Sequence, residues 1–308
     1  CHSETFSALV VLRGEELVYE HYAKDFAPNQ THTVMSITKT MIHLIVGRWV
    51  EDGLIDLSAT VSEYLPELGS GYGDATIQDV LDMNVVNDYS EDYSDPHTAA
   101  LTHNISMGWR LPEAGSGSIA SREFLCTIQG SDLVNRSGEL HYKSANTDVL
   151  AWIAESVSGL NLREQLLRIV EAAGIEHTFH MSTDHTGVPN SSGGACLSAR
   201  DLARYGLIFA REGTGINGVP VGSPDFMSET RRCSGPTYPA PDSHIHYGNH
   251  LQTNGRWVGH GGWGGQFLMV DPESATVVVF FSVLENESAS DDNHTRAIIQ
   301  MAEEVIRI

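Results

Sequence analysis

Ser36 and Lys39 stand three residues apart in the stretch Met35-Ser36-Ile37-Thr38-Lys39-Thr40. On a helix that spacing puts both side chains on one face, one above the other. A serine hydroxyl is a poor nucleophile until a base takes its proton, and a neighbouring amine can be that base or support it. S-x-x-K is one known solution to that problem. The chain has only three lysines, Lys24, Lys39 and Lys143, against an average composition rich in lysine. Roughly 0.3 chance matches to S-x-x-K are then expected, so the motif needs partners elsewhere in the chain.

The elements that position these residues follow from periodicity. Ser7 to Leu12 and Leu17 to Tyr22 flank a turn at Arg13-Gly14-Glu15-Glu16 and predict a β-hairpin. From Ser36 to Asp52 the residues Ile37, Met41, Leu44, Ile45 and Val50 recur at helical spacing, and Gly53 is placed to end the helix. Ser36 is therefore expected at a helix N-terminus, where free N–H groups favour negative charge near its oxygen. Thr76-Ile77-Gln78-Asp79 resembles a capping box opening a helix to about Met83, and Ser121 is expected to cap a helix to about Gln129. Between them, 84–117 has little periodicity but holds Tyr89, Tyr93 and Trp109, which favours a binding loop. Helices are predicted from Thr147 to Val157 before Gly159, from Asn161 to before Gly174, from Ser198 to Arg211 before Gly213, and over Ala289–Arg307. Strands are predicted at His246–Leu251, Arg256–Val258, Gln266–Val270 and Thr276–Val283.

Strands at both ends with helices between predict an α/β (α+β) architecture, an antiparallel sheet flanked by helices and interrupted by an all-helical insertion. The expected division is 1–56 plus 185–308 for the sheet-containing domain and 57–184 for the insertion, which carries the 84–117 loop. A length of 308 residues and 41% hydrophobic content suit one large domain or two interleaved ones.

Composition also excludes partners. A net charge of −22 argues against nucleic acid and anionic membranes, and no apolar run reaches the eighteen or so residues of a membrane span. The acidic, lysine-poor composition hints at a salt-tolerant source. No signal-peptide pattern opens the chain, which favours the cytoplasm; a truncated start would leave the periplasm open. Cys1 fits a lipoprotein-type mature end or a trimmed chain start, and the trimmed start is preferred. The four cysteines, Cys1, Cys126, Cys196 and Cys233, have neither zinc-ligand nor disulfide-framework spacing. His244/His246 and His180/His185 lack a supporting acidic or cysteine constellation, so no metal is expected. The oligomeric state stays open, a homodimer included.

Ser36-Ile37-Thr38-Lys39, then Tyr142-Lys143-Ser144, then His260-Gly261-Gly262 occur in the order of the three motifs of β-lactamase-like serine hydrolases of the class C branch. Within that group the chain resembles the 6-aminohexanoate-dimer hydrolases (nylon-oligomer hydrolases) and related carboxylesterases. The closer resemblance rests on Leu81-Asp82-Met83, Asp92-Tyr93-Ser94-Asp95-Pro96 and the run from Tyr142 to Trp152. It continues through Gly194, the run from Ala199 to Gly206, and Gly264-Gly265-Gln266 through Asp271-Pro272. The resemblance implies a sheet-plus-helices fold, no cofactor, and an acyl-enzyme mechanism on small amides or esters.

In such a mechanism Ser36 attacks a carbonyl, and the tetrahedral intermediate needs two hydrogen-bond donors. One is the backbone N–H of Ser36; by resemblance the other is that of Trp263. Gly261, Gly262, Gly264 and Gly265 would let substrate approach the strand closely. Tyr142 is a poor base alone, but Lys39 nearby is expected to favour its phenolate, so that the coupled pair takes and returns the Ser36 proton. Each residue has a plainer alternative. Tyr142 could be a core aromatic, Ser144 a helix cap, His260 a satisfied strand histidine, and Tyr93 an exposed loop residue. By resemblance Tyr93 contacts the substrate amide. Asn104 stands where some relatives place an aspartate near the substrate amine, and its neutrality puts recognition of a cationic terminus in doubt. Lys143 is expected to point away from the site. Candidate substrate contacts are thus Tyr93, Asn104, Ser144, His260 and Gly262.

The third motif lacks the lysine of penicillin-recognising enzymes, which weakens a β-lactamase or transpeptidase reading. The expectation is a serine hydrolase resembling 6-aminohexanoate-dimer hydrolase. The alternatives are a carboxylesterase, a D-aminoacyl peptidase or penicillin-binding relative, and, in another class, a catalytically silent peptide-binding protein.

Overall fold

The computed structural model describes residues 5–93, 95, 97–286 and 288–308; Cys1, Ser94 and Pro96 lie outside the described residues. The N-terminal hairpin forms as β1 (Phe6–Arg13) and β2 (Glu16–Tyr22). A short strand β3 (Thr31–Thr33) then leads into a 3-10 helix, Met35–Thr38, that runs straight into α1 (Lys39–Glu51). Gly53, at φ +72°, closes the turn after α1, a conformation only glycine adopts freely.

The middle of the chain is mostly helical: α2 (Val61–Tyr64), α3 (Ile77–Leu81), α4 (Ala99–Ser106), α5 (Ser121–Leu125), α6 (Ser144–Ser158) and α7 (Leu162–Ala173). Thr76 caps α3 through a reciprocal pair with Asp79, as its spacing predicts. Three expectations are corrected here. The aperiodic 84–117 stretch contains α4. Ser121 is the first residue of its helix, not its cap, because its hydroxyl is taken by Asp184 at 2.8 Å, and the helix ends at Leu125. The segment expected to be all-helical also holds the two-residue strand β4 (His180–Met181).

After β5 (Ala195–Ser198) come α8 (Ala199–Ala210), α9 (Pro224–Thr230), which the sequence pattern did not mark, β6 (His246–Gly248) and β7 (Leu251–Thr253). The single strand expected over 246–251 is a tight hairpin, with Asn249 and His250 in left-handed conformations at φ 50° and 64°. β8 (Val258–Gly262), β9 (Gln266–Asp271), β10 (Thr276–Ser282) and α10 (Asp292–Val305) complete the chain.

The main sheet has seven strands in the order β2-β1-β10-β9-β8-β7-β6, every neighbouring pair antiparallel, and β3-β5-β4 form a smaller one. Because side chains alternate across a strand, β1, β9 and β10 feed two apolar clusters. Ala8, Val10, Leu268 and Val279 join α1, α6, α7 and α8 in the larger one; Leu9, Val11, Met269 and Phe280 meet Ile298, Ile299 and Ala302 of α10 in the smaller. The larger cluster runs on without a break into Val61, Tyr72 and Val80 of the helical stretch. Among the described residues no helix is long and apolar enough to cross a membrane.

β8 lies beside the 3-10 helix that carries Ser36. Their approach is set by Gly262, where a Cβ would sit 2.4 Å from the Val34 carbonyl oxygen. Gly262→Ala should therefore cost about 1–3 kcal/mol of stability, read as a lower midpoint of thermal unfolding. A variant as stable as its parent would mean that the two segments separate without cost.

Candidate active site

Ser36 sits in the first turn of the 3-10 helix, just after Met35, whose φ of 47° lies in the left-handed region. A 3-10 turn stacks residues i and i+3 more closely in line than an α-helix does. Lys39 Nζ accordingly lies 3.0 Å from Ser36 Oγ. The same nitrogen is 3.0 Å from Ser144 Oγ and 2.5 Å from the Ser192 carbonyl oxygen. Lys39 is fully buried. As an ammonium it donates to all three oxygens; as a neutral amine it donates to two and can accept the Ser36 proton with its lone pair.

Burial disfavours the charged form and pulls the Lys39 amine down from 10.5 to about 8, against the opposing pull of Glu91 and Asp148. The Tyr142 ring lies over the amine, 5.2 Å from Nζ to its centroid. Its hydroxyl is buried and unpaired among the described residues. Burial drives the Tyr142 phenol well above its ordinary value, and the neighbouring Ser36 hydroxyl opposes this too weakly to matter. The expected phenolate is therefore corrected: Tyr142 is a neutral phenol, because the loss of solvation outweighs a nearby amine that is itself easily neutral.

Ser144 opens α6 instead of capping it. The Ser144 N–H donates to the Glu91 carboxylate, which leaves its hydroxyl to Lys39. His260 is buried, its Nδ1 2.6 Å from the Gly261 carbonyl and its Nε2 3.0 Å from the Tyr247 hydroxyl. A carbonyl only accepts, so Nδ1 carries the proton and Tyr247 donates to Nε2. Burial, and then Lys39, push His260 down to about 3, so it is neutral. Both ring nitrogens are thus engaged within the protein.

These groups open onto a cavity of about 300 Å³ lined by Ser36, Tyr142, Ser144, His260, Gly261 and the Ser192-Gly193 pair. Its walls include Met35, Met107, Trp109, Leu140, Tyr238 and Gln252. Tyr93 and Trp263, each about half exposed, stack at its rim with ring centroids 6.0 Å apart, and Trp263 Nε1 donates to the Ser288 carbonyl. Asn104, on α4, presents a neutral amide to the same space. Gly262 is not among the lining residues; its missing side chain serves the contact with Val34. Lys143 points away, as alternation predicts, and donates to the Tyr89 carbonyl. Trp263 directly follows β8, and the N–H of Ser36, in a first helical turn, has no intrahelical acceptor.

The beta-lactamase family model matches residues 7–303. The chain belongs to that family. It is 40% identical over 216 residues to the 6-aminohexanoate-dimer hydrolase of Paenarthrobacter ureafaciens, a match covering 70% of this chain and 54% of that protein. The chain thus spans about half the length of this curated relative. Among solved structures, a Bacillus anthracis protein provisionally assigned as a 6-aminohexanoate-dimer hydrolase superposes with a TM-score of 0.83 at 24% identity, covering 98% of this chain and 79% of that one. A penicillin-binding protein from Bacillus halodurans (TM-score 0.68, 16% identity, 97% of each chain) shares the fold. So does a D-stereospecific amidohydrolase from Streptomyces (TM-score 0.67, 16% identity, 95% of this chain and 93% of that one).

Around this candidate site, sequence reasoning missed Glu91, the Ser192 carbonyl, and the Tyr238–Gln252 pair, joined at 2.6 Å. Glu91 stood two residues before Tyr93 in a stretch without periodicity. Ser192 contributes only backbone, which leaves no signal in residue type. The amine of Lys39 can accept a proton only when neutral, so reactivity at Ser36 should rise with pH through about 8 and level off above it. The rate of fluorophosphonate labelling of Ser36 measures this directly. A rate flat from about pH 6 to 9 would take Lys39 out of the base role.

Proposed function

We propose that the protein is a serine hydrolase that cleaves small linear amides or esters through an acyl-enzyme, with 6-aminohexanoate-dimer hydrolase activity the best single match. The observation that carries this reading is the buried Lys39 amine, 3.0 Å from both Ser36 Oγ and Ser144 Oγ and covered by the Tyr142 ring. Lys39, neutral above about 8, takes the Ser36 proton as the hydroxyl oxygen attacks the carbonyl. The N–H groups of Ser36 and Trp263 receive the oxyanion. Tyr142, a neutral phenol with a free proton, donates to the departing amine or alkoxide and is reprotonated through Lys39. Water then repeats the sequence on the acyl-enzyme.

Substrate choice follows from the cavity wall. No lysine or arginine is among the described residues lining it, and Glu91 is its one formally charged side chain. A carboxylate carried into the cavity would meet no lysine or arginine among the lining residues, which disfavours the acidic acyl donors of penicillin-recognising enzymes, whereas the terminal carboxylate of the linear dimer would stay in solvent beyond the rim. Neutral or cationic chains suit the aromatic walls, and a flexible linear substrate suits a cavity of about 300 Å³. A silent binding protein on the same fold would have no chemical use for an amine held against a serine hydroxyl.

The direct experiment is paired hydrolysis of p-nitrophenyl butyrate and the linear 6-aminohexanoate dimer, with nitrocefin as control. Cleavage of both but not of nitrocefin is expected; ester cleavage without dimer cleavage would place the activity among carboxylesterases. Ser36→Ala should abolish turnover in a folded protein, and Tyr142→Phe should slow amide hydrolysis by at least ~10²-fold. Tyr93→Phe should slow the amide more than the activated ester, whose leaving group needs less help. Equal losses on both substrates would remove Tyr93 from that role.

A further inference from the structure

Between the Ser192 carbonyl and Glu91, both at the cavity wall, runs a chain of polar groups that the mechanism above leaves unused. Asp148 stands one helical turn after Ser144 on α6, so both face the same way. Its Oδ1 accepts from Ser191 Oγ at 2.5 Å, and the next residue supplies the carbonyl that Lys39 Nζ contacts. Its Oδ2 lies 3.0 Å from Nε2 of the fully buried His103, off the line of the N–H, at ion-pair distance but without a straight hydrogen bond. The His103 ring stacks on Phe124 with centroids 4.8 Å apart, and its Nδ1 lies 3.0 Å from the Tyr89 hydroxyl. That hydroxyl in turn lies 3.3 Å from the Glu91 carboxylate, which holds the Ser144 N–H. The path therefore starts at one acceptor of the Lys39 amine, the Ser192 carbonyl, and ends at another, Ser144.

We propose that Asp148 and His103 are positioning residues for Lys39, fixing its two acceptors other than Ser36 from a buried carboxylate held behind them. Neither lines the cavity, so neither touches substrate. Burying a carboxylate is costly unless its oxygens are engaged, and here one is bound by Ser191 while the other faces the imidazole. The remaining titratable groups near Lys39 are the Glu91 carboxylate, the Tyr142 phenol, driven up by burial, and His250 and His260, both pushed down to about 3 by burial. An anion beside an ammonium favours the charged form. Removing Asp148 should then free the amine at lower pH.

This inference rests on Lys39 acting as the base, and one experiment separates the two. The pH profile of fluorophosphonate labelling of Ser36 is measured for the parent, Asp148→Asn and Ser191→Ala. In Asp148→Asn the rising limb should move to lower pH by about half a unit or more. Ser191→Ala keeps the charge but loosens the Ser192 carbonyl, so the limb should stay while the plateau falls several-fold. A parental limb in folded Asp148→Asn overturns the proposal. If that variant does not fold, a parental plateau in Ser191→Ala overturns it instead. A parent with no rising limb indicts the reading of Lys39 as base.

Discussion

Taking one ammonium group out of water is the constraint on which the rest of this structure turns. Lys39 is fully buried, a placement that only surrounding acceptors make tolerable. Three are provided by three separate parts of the chain: Ser36 from the 3-10 turn, Ser144 from the start of α6, and the Ser192 carbonyl from the segment before β5. The packing of α1 on α6 and of β3 on β5 brings those parts within reach of a single nitrogen. The same burial lowers the affinity of the amine for its proton, so the feature that is costly for stability is the one that makes the amine chemically useful.

Neutrality is the rule in the groups around it. Burial keeps Tyr142 a phenol and His260 an uncharged imidazole, with both histidine nitrogens already bound. A cavity wall in which Glu91 is the one formally charged side chain among the described lining residues can respond strongly to the charge that develops on a substrate.

Ser36 and Lys39 were legible as residue types at short spacing and Tyr142 and Ser144 through the ordered motifs of the family resemblance, and the fold brings the four together. The hairpin at β1–β2, the Thr76 cap and the strands β9 and β10 were legible because their alternation or capping pattern is local. What was missed has equally local causes. α4 reads as Ala-Ala-Leu-Thr-His-Asn-Ile-Ser, too short and too polar to show a stripe. The turn at Asn249-His250 looked like strand because nothing in the residues announces two left-handed conformations without a glycine. The phenolate expected at Tyr142 failed because a sequence places groups near one another but does not give their depth, and depth decides the sign of the shift. Asp148 and His103 were invisible for a related reason: 45 positions separate them, and only the fold sets them 3.0 Å apart.

The identity of the three acceptors also gives the amine a direction. A carbonyl oxygen has no proton to give and cannot keep one, so the Ser192 contact is a dead end for proton traffic. The Ser144 hydroxyl, by contrast, can take a proton on its oxygen while releasing its own. In the proposed mechanism a proton leaving Ser36 can therefore travel onward only along the cavity wall, through Ser144 or towards Tyr142, where a departing group would stand. On that mechanism the lysine would act as a valve with one side closed, passing protons towards the substrate.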